Sequence, residues 1–169
     1  TSYMEQLTVI RHAKASWDDP GADDFGRGLN KRGRHDATRI GKWLEDKKVA
    51  PDILWCSTAT RARATLKGLR KEWTIDDLRI RYRRDLYEMD AIKLINKISK
   101  LHAGINELAI IGHNPCLENI YNLLAVEPCE KFATGAIARI TLNITLWEEI
   151  HSIAQDAKTV AFIKPKALR

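Results

Sequence analysis

Short runs of apolar and β-branched residues alternate with amphipathic stretches of helix length along the chain. The runs that predict β-strands are residues 7–10, 53–56, 78–82, 108–111, 136–142 and 159–163. Apolar residues at helical spacing predict helices over 31–47, from Ser57 or Thr58 to about Trp73, from Asp90 to near Gly104, and from Pro115 to about Leu124. This alternation is typical of a layered α/β domain with a mostly parallel sheet.

The length and composition of the chain limit the classes of protein to which it can belong. A chain of 169 residues can form one hydrophobic core, and it shows neither a linker nor a repeat, so we predict a single domain over residues 1–169. Its 44% hydrophobic and 30% charged residues exclude collagen-like and disordered chains. Because no apolar run approaches the roughly 20 residues of a membrane-spanning helix, no membrane association is expected.

The cysteines indicate a reducing compartment. Cys56, Cys116 and Cys129 are too few for a disulfide framework and lack the spacing of metal ligands. No export signal opens the sequence, so we expect reduced thiols in a cytoplasmic protein. Cysteine phosphatases place an arginine six positions after the nucleophilic cysteine, and here that position is Ala62. Cys56 is therefore predicted to be a core residue.

The net charge of +6 favours anionic partners without distinguishing nucleic acid, phosphorylated protein and phosphorylated metabolite. The run from Arg79 to Arg84 combines basic residues with the ring of Tyr82, as some nucleic-acid sites do. In a strand, however, alternation places Arg79, Arg81 and Arg83 on one solvated face, and no nucleic-acid-binding motif accompanies them. We therefore expect no nucleic-acid partner, and these arginines are available to contact an acidic protein substrate.

Arginine and histidine side chains follow three of the predicted strands at the point where each strand ends. Arg11 and His12 follow the first strand, Arg61 lies in the first turn of the helix after the second, and His113 follows the strand 108–111. Ligands of open α/β sheets bind outside the carboxyl ends of the parallel strands, so we expect these four side chains to converge. Two guanidinium groups match the oxygens of a phosphoryl group, and an imidazole beside them can attack its phosphorus.

Six short motifs occur in an order that covers nearly the whole chain. They are LTVIRHAKAS at 7–16, RGLNKRG at 27–33, STATRARAT at 57–65, DLYE at 85–88, IIGHNPCL at 110–117 and FATGA at 132–136. In this order they resemble the histidine phosphatase superfamily, and within it the small SixA-like phosphohistidine phosphatases. Ala13 stands where the superfamily's Arg-His-Gly signature has glycine, as in other SixA-like members. The resemblance implies the phosphoglycerate-mutase-like fold, a three-layer α/β/α sandwich with a mostly parallel central sheet.

The resemblance also implies a role for each of the converging residues. His12 is the nucleophile that becomes transiently phosphorylated, and Arg11, Arg61 and His113 bind the phosphoryl oxygens. To attack through a neutral ring nitrogen, His12 should donate from its other nitrogen to a nearby backbone carbonyl. His113 would act best as a cation, and Arg63 is expected to point away from the site. No metal or other cofactor is implied.

In ester-cleaving relatives a carboxylic acid after the third strand protonates the leaving group, and the resemblance makes Glu88 the candidate for that role here. Asp18 and Asp19, in the loop after His12, are the alternatives, and many SixA-like sequences have no acid at this place. Phosphohistidine has a good leaving group once its imidazole is protonated. A working acid at Glu88 would therefore favour esters as well.

The expected reaction is hydrolysis of phosphohistidine on a protein substrate, for instance a histidine phosphotransfer domain, through a phosphohistidine intermediate on His12. The chain leaves little sequence for a large lid, and an open site with Trp17 at its entrance suits a protein side chain. One alternative is a phosphatase for small phosphate esters, and another is a non-catalytic phosphate-binding module. The presence of His12 argues against the module, because binding alone needs no nucleophile.

Overall fold

The protein is described by a computed structural model over residues 4–18, 21 and 23–169. The strands in this part of the chain are β1 (Glu5–Arg11), β2 (Ile53–Ser57), β3 (Ile80–Arg83), β4 (Glu107–Gly112), β5 (Ile137–Leu142) and β6 (Lys158–Ile163). The α-helices are α1 (Lys31–Asp46), α2 (Thr60–Leu69), α3 (Ala91–Ile98) and α4 (Cys116–Leu124). Short 3-10 helices occupy Asp77–Arg79, Arg84–Tyr87, Trp147–Ser152 and Pro165–Leu168.

The strands form one sheet in the order β3-β2-β4-β1-β5-β6. β3, β2, β4 and β1 pair in parallel, whereas β5 runs antiparallel to both of its neighbours, β1 and β6. The predicted mostly parallel sheet is therefore confirmed. The carboxyl ends of β2, β4 and β1 lie side by side at one edge of the sheet, because these three strands are parallel neighbours.

The central strand β4 separates two hydrophobic cores. Its residues Leu108 and Ile110 pack among the apolar side chains of α3 and α4, whereas Ala109 and Ile111 pack among those of α1 and α2. All four side chains are fully buried, as expected for a strand that is covered on both faces. The helices thus form a layer on each side of the sheet, which confirms the three-layer α/β/α sandwich.

Two helix starts follow directly from the sequence. The side chain of Asn30 accepts a hydrogen bond from the amide of Gly33 (2.8 Å) and caps α1. The side chain of Asp90 accepts from the amide of Lys93 (2.8 Å) and caps α3 in the same way. Both caps satisfy an amide that the first helical turn would otherwise leave without a partner.

The bounds of α2 and α3 differ from those predicted. α2 begins at Thr60 with Ala59 as its cap, because the hydroxyl of Ser57 at the end of β2 instead contacts His113 and the amide of Ala59. Both helices end earlier than predicted, α2 at Leu69 and α3 at Ile98.

The buried face of α3 also differs from the one predicted. Ala91, Leu94, Ile95 and Ile98 are buried at the spacing of one helical face, whereas Ile92 is 68% exposed. The spacing of Ile92, Ile95 and Ile98 in the sequence predicts that Ile92 shares their buried face. This prediction is wrong, because Ala91 takes that place in the first turn and Ile92 points outward.

β3 lies at the edge of the sheet, as its polar alternation predicts, and it begins at Ile80. Arg79 belongs to the preceding 3-10 helix rather than to β3, and it donates to the carbonyl of Pro51 (2.9 Å). Arg83, within β3, lies 3.5 Å from the carboxylate of Asp85. These contacts are those of a solvated edge.

A close contact joins α1 to the loop that follows β1. A Cβ atom on Gly33 would lie only 2.2 Å from the carbonyl oxygen of Lys14, so only glycine allows the helix to approach this far. The same loop is held from another side, because the amide of Ala13 donates to the hydroxyl of Thr65 on α2 (2.9 Å). The segment that carries His12 is therefore fixed by both helices of this layer.

Candidate active site

The four residues predicted to converge do meet at the carboxyl ends of β1, β4 and β2. The rings of His12 and His113 lie 5.2 Å apart between centroids. Nε of Arg61, on the first turn of α2, lies 3.3 Å from Nε2 of His12. Arg11 is the last residue of β1, and its charge lowers the pKa of both histidines. His12, Arg61 and His113 are each only 6% exposed.

The hydrogen bonds of His12 define which ring nitrogen is free to react. Nδ1 lies 2.8 Å from the carbonyl oxygen of Ala13, and because a carbonyl only accepts, Nδ1 carries the proton. Nε2 therefore keeps its lone pair and accepts from Nε of Arg61. This confirms the predicted bond from His12 to a backbone carbonyl, and it turns Nε2 toward the other site residues.

The surroundings of His12 keep its ring neutral. Burial lowers its pKa to about 3, the bond to Ala13 opposes this, and the charges of His113, Arg61 and Arg11 lower it further. A neutral imidazole with a free lone pair is the form that can act as a nucleophile.

The surroundings of His113 within the protein itself lower the pKa of its ring. Its Nε2 lies 2.8 Å from Oγ of Ser57. Burial first, and then the charge of Arg61, lower its pKa to about 4, although Asp24 acts in the opposite direction. The ring is therefore neutral near pH 7 rather than cationic, since burial and two arginines outweigh one carboxylate. A phosphoryl dianion beside the ring would raise this pKa.

The two arginines are held by backbone carbonyls. Nη1 of Arg11 donates to the carbonyl of Phe132 (3.1 Å), and Nη1 of Arg61 donates to that of Asp24 (2.6 Å). Burial, together with the charge of Arg61, lowers the pKa of Arg11, while Glu118 raises it. The charge of Arg61 acts unfavourably on that of Arg11, and an anion bound by both guanidinium groups would relieve this repulsion.

Arg63 and Cys56 lie where the sequence predicts. Arg63 is exposed, and its Nε donates to the carbonyl of Thr58 (2.9 Å) away from the histidines. Cys56 is fully buried, and burial raises the pKa of its thiol to about 12. A thiol with that pKa is not ionised near neutral pH, so Cys56 is a core residue.

Neither the place of Asp24 in the site nor the contacts of Tyr87 were predicted from the sequence. The carboxylate of Asp24 accepts from Nη2 of Arg61 (3.2 Å) and from the hydroxyl of Tyr87, whose ring packs 5.4 Å from that of His113. The bond from Tyr87, followed by the charge of Arg61, lowers the pKa of Asp24. Tyr87 lies in one of the six motifs, but Asp24 is in a loop without periodicity and leaves no such signal.

The predicted candidates for the general acid lie apart from this cluster or outside the described residues. Glu88 follows Tyr87 in the chain, but its side chain is exposed and makes no hydrogen bond or ion pair with the residues that the structure describes. Asp18 is also exposed. Asp19 lies outside the described residues. The acid role of Glu88 stays a prediction.

A cavity of about 480 Å³ opens beside His12. Arg11 and His12 line it, and the remaining lining residues are Lys14, Ala15, Trp17, Arg27, Lys131, Ala133 and Thr134. Trp17 is 79% exposed, and it lines the entrance as predicted. A larger cavity of about 670 Å³, lined by Gln6, Thr141 and Lys158 among others, lies at the amino end of β1, away from the histidines.

The described residues include no group of three or more histidine, cysteine, aspartate or glutamate side chains arranged to hold a metal ion. In the same part of the chain, no helix combines the length and the apolar character that crossing a membrane requires.

The lowered pKa values of the two histidines predict a loss of stability in acid. The unfolded chain binds protons at an ordinary histidine pKa near 6.5, whereas the folded protein binds them only near 3 and 4. The free energy of unfolding should therefore fall by about 2 kcal/mol per histidine between pH 7.5 and pH 5. Urea unfolding at both pH values checks this. The variant His113→Gln should lose about half of the decline, and an unchanged decline would contradict the assignment.

Comparison with known proteins agrees with this geometry. The chain matches the histidine phosphatase superfamily (branch 1) over residues 7–98. It is 34% identical to an uncharacterized protein of Mycobacterium tuberculosis over 139 residues, which are 76% of this chain and 84% of that protein.

Two solved structures of proteins named SixA share the fold of this chain. One from Agrobacterium tumefaciens has a TM-score of 0.73 and 26% identity, with 95% of this chain and 99% of that chain covered. The protein histidine phosphatase SixA complexed with tungstate has a TM-score of 0.80 and 23% identity, with 97% and 99% covered. The sequence match over more than half of the chain and the shared fold lead to one conclusion: the chain belongs to the histidine phosphatase superfamily, and it is a phosphatase.

Proposed function

We propose that this phosphatase hydrolyses phosphohistidine on a protein substrate through a covalent phosphohistidine intermediate on His12. The cluster of His12, Arg11, Arg61 and His113 supports His12 as the nucleophile and the other three as the groups that bind the phosphoryl group. The chemistry of the leaving group distinguishes phosphohistidine from a phosphate ester.

The observation that carries the proposal is the state of Asp24. This is the carboxyl group that the described chain brings against Arg61, and the bond from Tyr87 together with Arg61 holds its pKa below the ordinary value. An ionised carboxylate cannot donate a proton to the oxygen of an ester leaving group. Phosphohistidine needs no such donor, because its imidazole leaves as a neutral ring once its other nitrogen is protonated. The site therefore favours phosphohistidine over esters.

In the first step, the lone pair on Nε2 of His12 attacks phosphorus. The bond from phosphorus to the substrate's imidazole nitrogen breaks, and that imidazole leaves neutral because its other nitrogen already carries a proton. His12 then carries the phosphoryl group on Nε2 and the original proton on Nδ1, which stays bonded to Ala13. In the second step, water attacks phosphorus, the bond to Nε2 breaks, and dihydrogen phosphate leaves.

The remaining site residues stabilise the charge of the transferring group. Arg11 and Arg61 offer planar sets of donors that match phosphoryl oxygens. His113, with its Nε2 toward Ser57, gains a proton more readily when the phosphoryl dianion is bound, and it then acts as a third cation. The electrostatic attraction is strong at this place because His12, Arg61 and His113 are buried.

Similarity to SixA proteins supports the same assignment. One of those structures is of a protein histidine phosphatase with bound tungstate, a tetrahedral oxyanion like phosphate. The three free cysteines suit a reducing compartment, so we place the reaction in the cytoplasm, with a histidine phosphotransfer domain as the kind of partner that presents phosphohistidine.

A comparison of three substrate classes tests this function. The purified protein is assayed on a phosphohistidine protein, a phosphotyrosine peptide and small sugar phosphates at equal concentration. We expect kcat/KM for phosphohistidine to exceed the other two by at least about tenfold, which corresponds to about 1.4 kcal/mol of transition-state stabilisation. A higher value for the sugar phosphates would replace the proposal with a metabolite phosphatase.

The variant Glu88→Gln tests whether an acid takes part. Because Glu88 is exposed and phosphohistidine needs no acid, we expect its hydrolysis to stay within about threefold of that of the unmodified protein. Hydrolysis of an ester with a poor leaving group is measured beside it. A larger loss on the ester than on phosphohistidine would assign the acid role to Glu88, and equal large losses on both would contradict departure of the imidazole without an acid.

A further inference from the structure

The cavity beside His12 is larger and more basic than a phosphoryl site requires. Its volume of about 480 Å³ lies within the roughly 300–1,000 Å³ of pockets that enclose whole ligands. Besides Arg11 and His12, its lining includes Lys14, Arg27 and Lys131, which contribute three further positive charges. No acidic side chain lines this cavity in the part of the chain that the structure describes.

The three cations come from two loops, one between β1 and α1 and one between α4 and β5. Lys14 follows His12 by two residues, in the segment that packs against Gly33. Arg27 lies at the end of the same loop, with its guanidinium group 3.4 Å from the ring centroid of Trp17. Lys131 precedes Phe132, whose fully buried ring anchors the opposite loop.

The loop that carries Lys131 is attached to the site itself. The carbonyl of Phe132 accepts from Nη1 of Arg11 (3.1 Å) and from the side chain of Asn114 (2.9 Å), and its amide donates to Glu118 (2.7 Å). The amide of Gly135 donates to the carbonyl of His12 (2.9 Å). The backbone of Lys131 therefore has a defined place relative to the nucleophile, and its exposed side chain lines the cavity from there.

The charges of these residues are only partly compensated. Nε of Arg27 lies 3.3 Å from the carboxylate of Asp24, but its Nη1 is buried without a hydrogen-bond partner. Lys14 and Lys131 form no ion pair with any described residue. The cavity lining thus contains one buried donor without a partner and two ammonium groups outside any ion pair with described residues. Such groups can bind an anion.

We propose that Lys14, Arg27 and Lys131 form a second anion subsite, which binds an acidic side chain next to the phosphohistidine of the substrate. This inference rests on the proposed function, and it adds that the enzyme prefers substrates with an acidic residue next to the phosphohistidine. An extended chain advances about 3.3–3.6 Å per residue, so Lys14 lies roughly 7 Å along the chain from His12. An aspartate or glutamate one or two positions from the phosphohistidine spans the same distance. The face of Trp17 offers an apolar surface for the rest of the peptide.

The second phosphate group of a small bisphosphate would also fit this subsite. The experiment therefore distinguishes an acidic side chain from a second phosphate group as its ligand. Two phosphohistidine peptides are compared, one with glutamate beside the phosphohistidine and one with glutamine in its place. Competitive inhibition by a hexose 6-phosphate and by the corresponding 1,6-bisphosphate is measured in parallel, with para-nitrophenyl phosphate as the reporter substrate.

We expect kcat/KM to be about tenfold higher for the glutamate peptide than for the glutamine peptide. The difference should lie in KM and not in kcat, because the subsite binds ground state and transition state alike. In the double variant Lys14→Glu/Lys131→Glu, the ratio should fall to one or below. The control Lys158→Glu makes a like charge reversal at the amino end of the sheet, and it should keep the ratio. Raising the salt from 0.05 to 0.5 M should reduce the ratio in the unmodified protein.

A ratio near one in the unmodified protein, or an equal ratio in the double variant, would overturn the acidic-peptide subsite. If only the bisphosphate shows a preference that the double variant removes, the subsite stands but binds a second phosphate instead. If neither peptide is hydrolysed, the proposed function fails, and the inhibition constants still decide the subsite. Thermal unfolding of each variant shows whether a lost preference reflects a lost fold.

Discussion

Replacing His12 with alanine should lower kcat for every substrate by a factor of about 10³ or more, because it removes the nucleophile that receives the phosphoryl group in the proposed reaction. Nε2 of His12 carries the lone pair that faces Arg61. The ring is held by its hydrogen bond to the carbonyl of Ala13 and kept neutral by burial. The control His35→Ala removes an exposed histidine from α1 and should leave kcat unchanged.

The covalent intermediate is tested with the same pair of variants. Brief incubation with a ³²P-labelled phosphohistidine substrate, followed by an alkaline quench that preserves phosphohistidine, should leave label on the unmodified protein and on the His35→Ala control. The label should map to His12 and be absent from His12→Ala. Label on Cys56, or residual turnover within tenfold of normal in His12→Ala, would assign the nucleophile elsewhere.

The second large effect is expected at Arg61. Its Nε contacts the nucleophile, its guanidinium group is buried, and its charge lowers the pKa of His12 and of His113. Loss of one buried donor to the transferring group should reduce kcat by about 10²–10³, the range seen when an oxyanion-binding donor is removed. Arg61→Ala should therefore be nearly inactive.

The neighbouring Arg63 supplies a matched control, because it lies on the same helix turn and points to solvent. Arg63→Ala should keep kcat within about twofold. Arg61→Lys should recover only a small part of the activity, since a lysine keeps the charge but not the planar set of donors. Equal losses in the variants of Arg61 and Arg63 would indicate a general loss of charge or of folding, which thermal unfolding distinguishes.

Much of the fold was predictable because apolar periodicity reports burial directly. Residues 108–111 form a continuous apolar run, and they became the central strand with both faces covered. The caps at Asn30 and Asp90 are local interactions, so they were visible in the sequence. The start of α2 was not predictable from the sequence, because the hydroxyl of Ser57 forms a hydrogen bond with His113, 56 residues away, instead of capping the helix. A local signal fails where a distant partner competes for the same side chain.

The convergence of Arg11, His12, Arg61 and His113 was determined by the sequence alone, since parallel strands present their carboxyl ends at one edge. Tertiary structure alone decided the rest of the site. The neutral state of His113 depends on how deeply it is buried, and the bond of Asp24 to Arg61 joins a loop without periodicity to α2. The basic lining formed by Lys14, Arg27 and Lys131 likewise exists only when two loops pack beside each other, because the sequence does not show which charged side chains will share a surface.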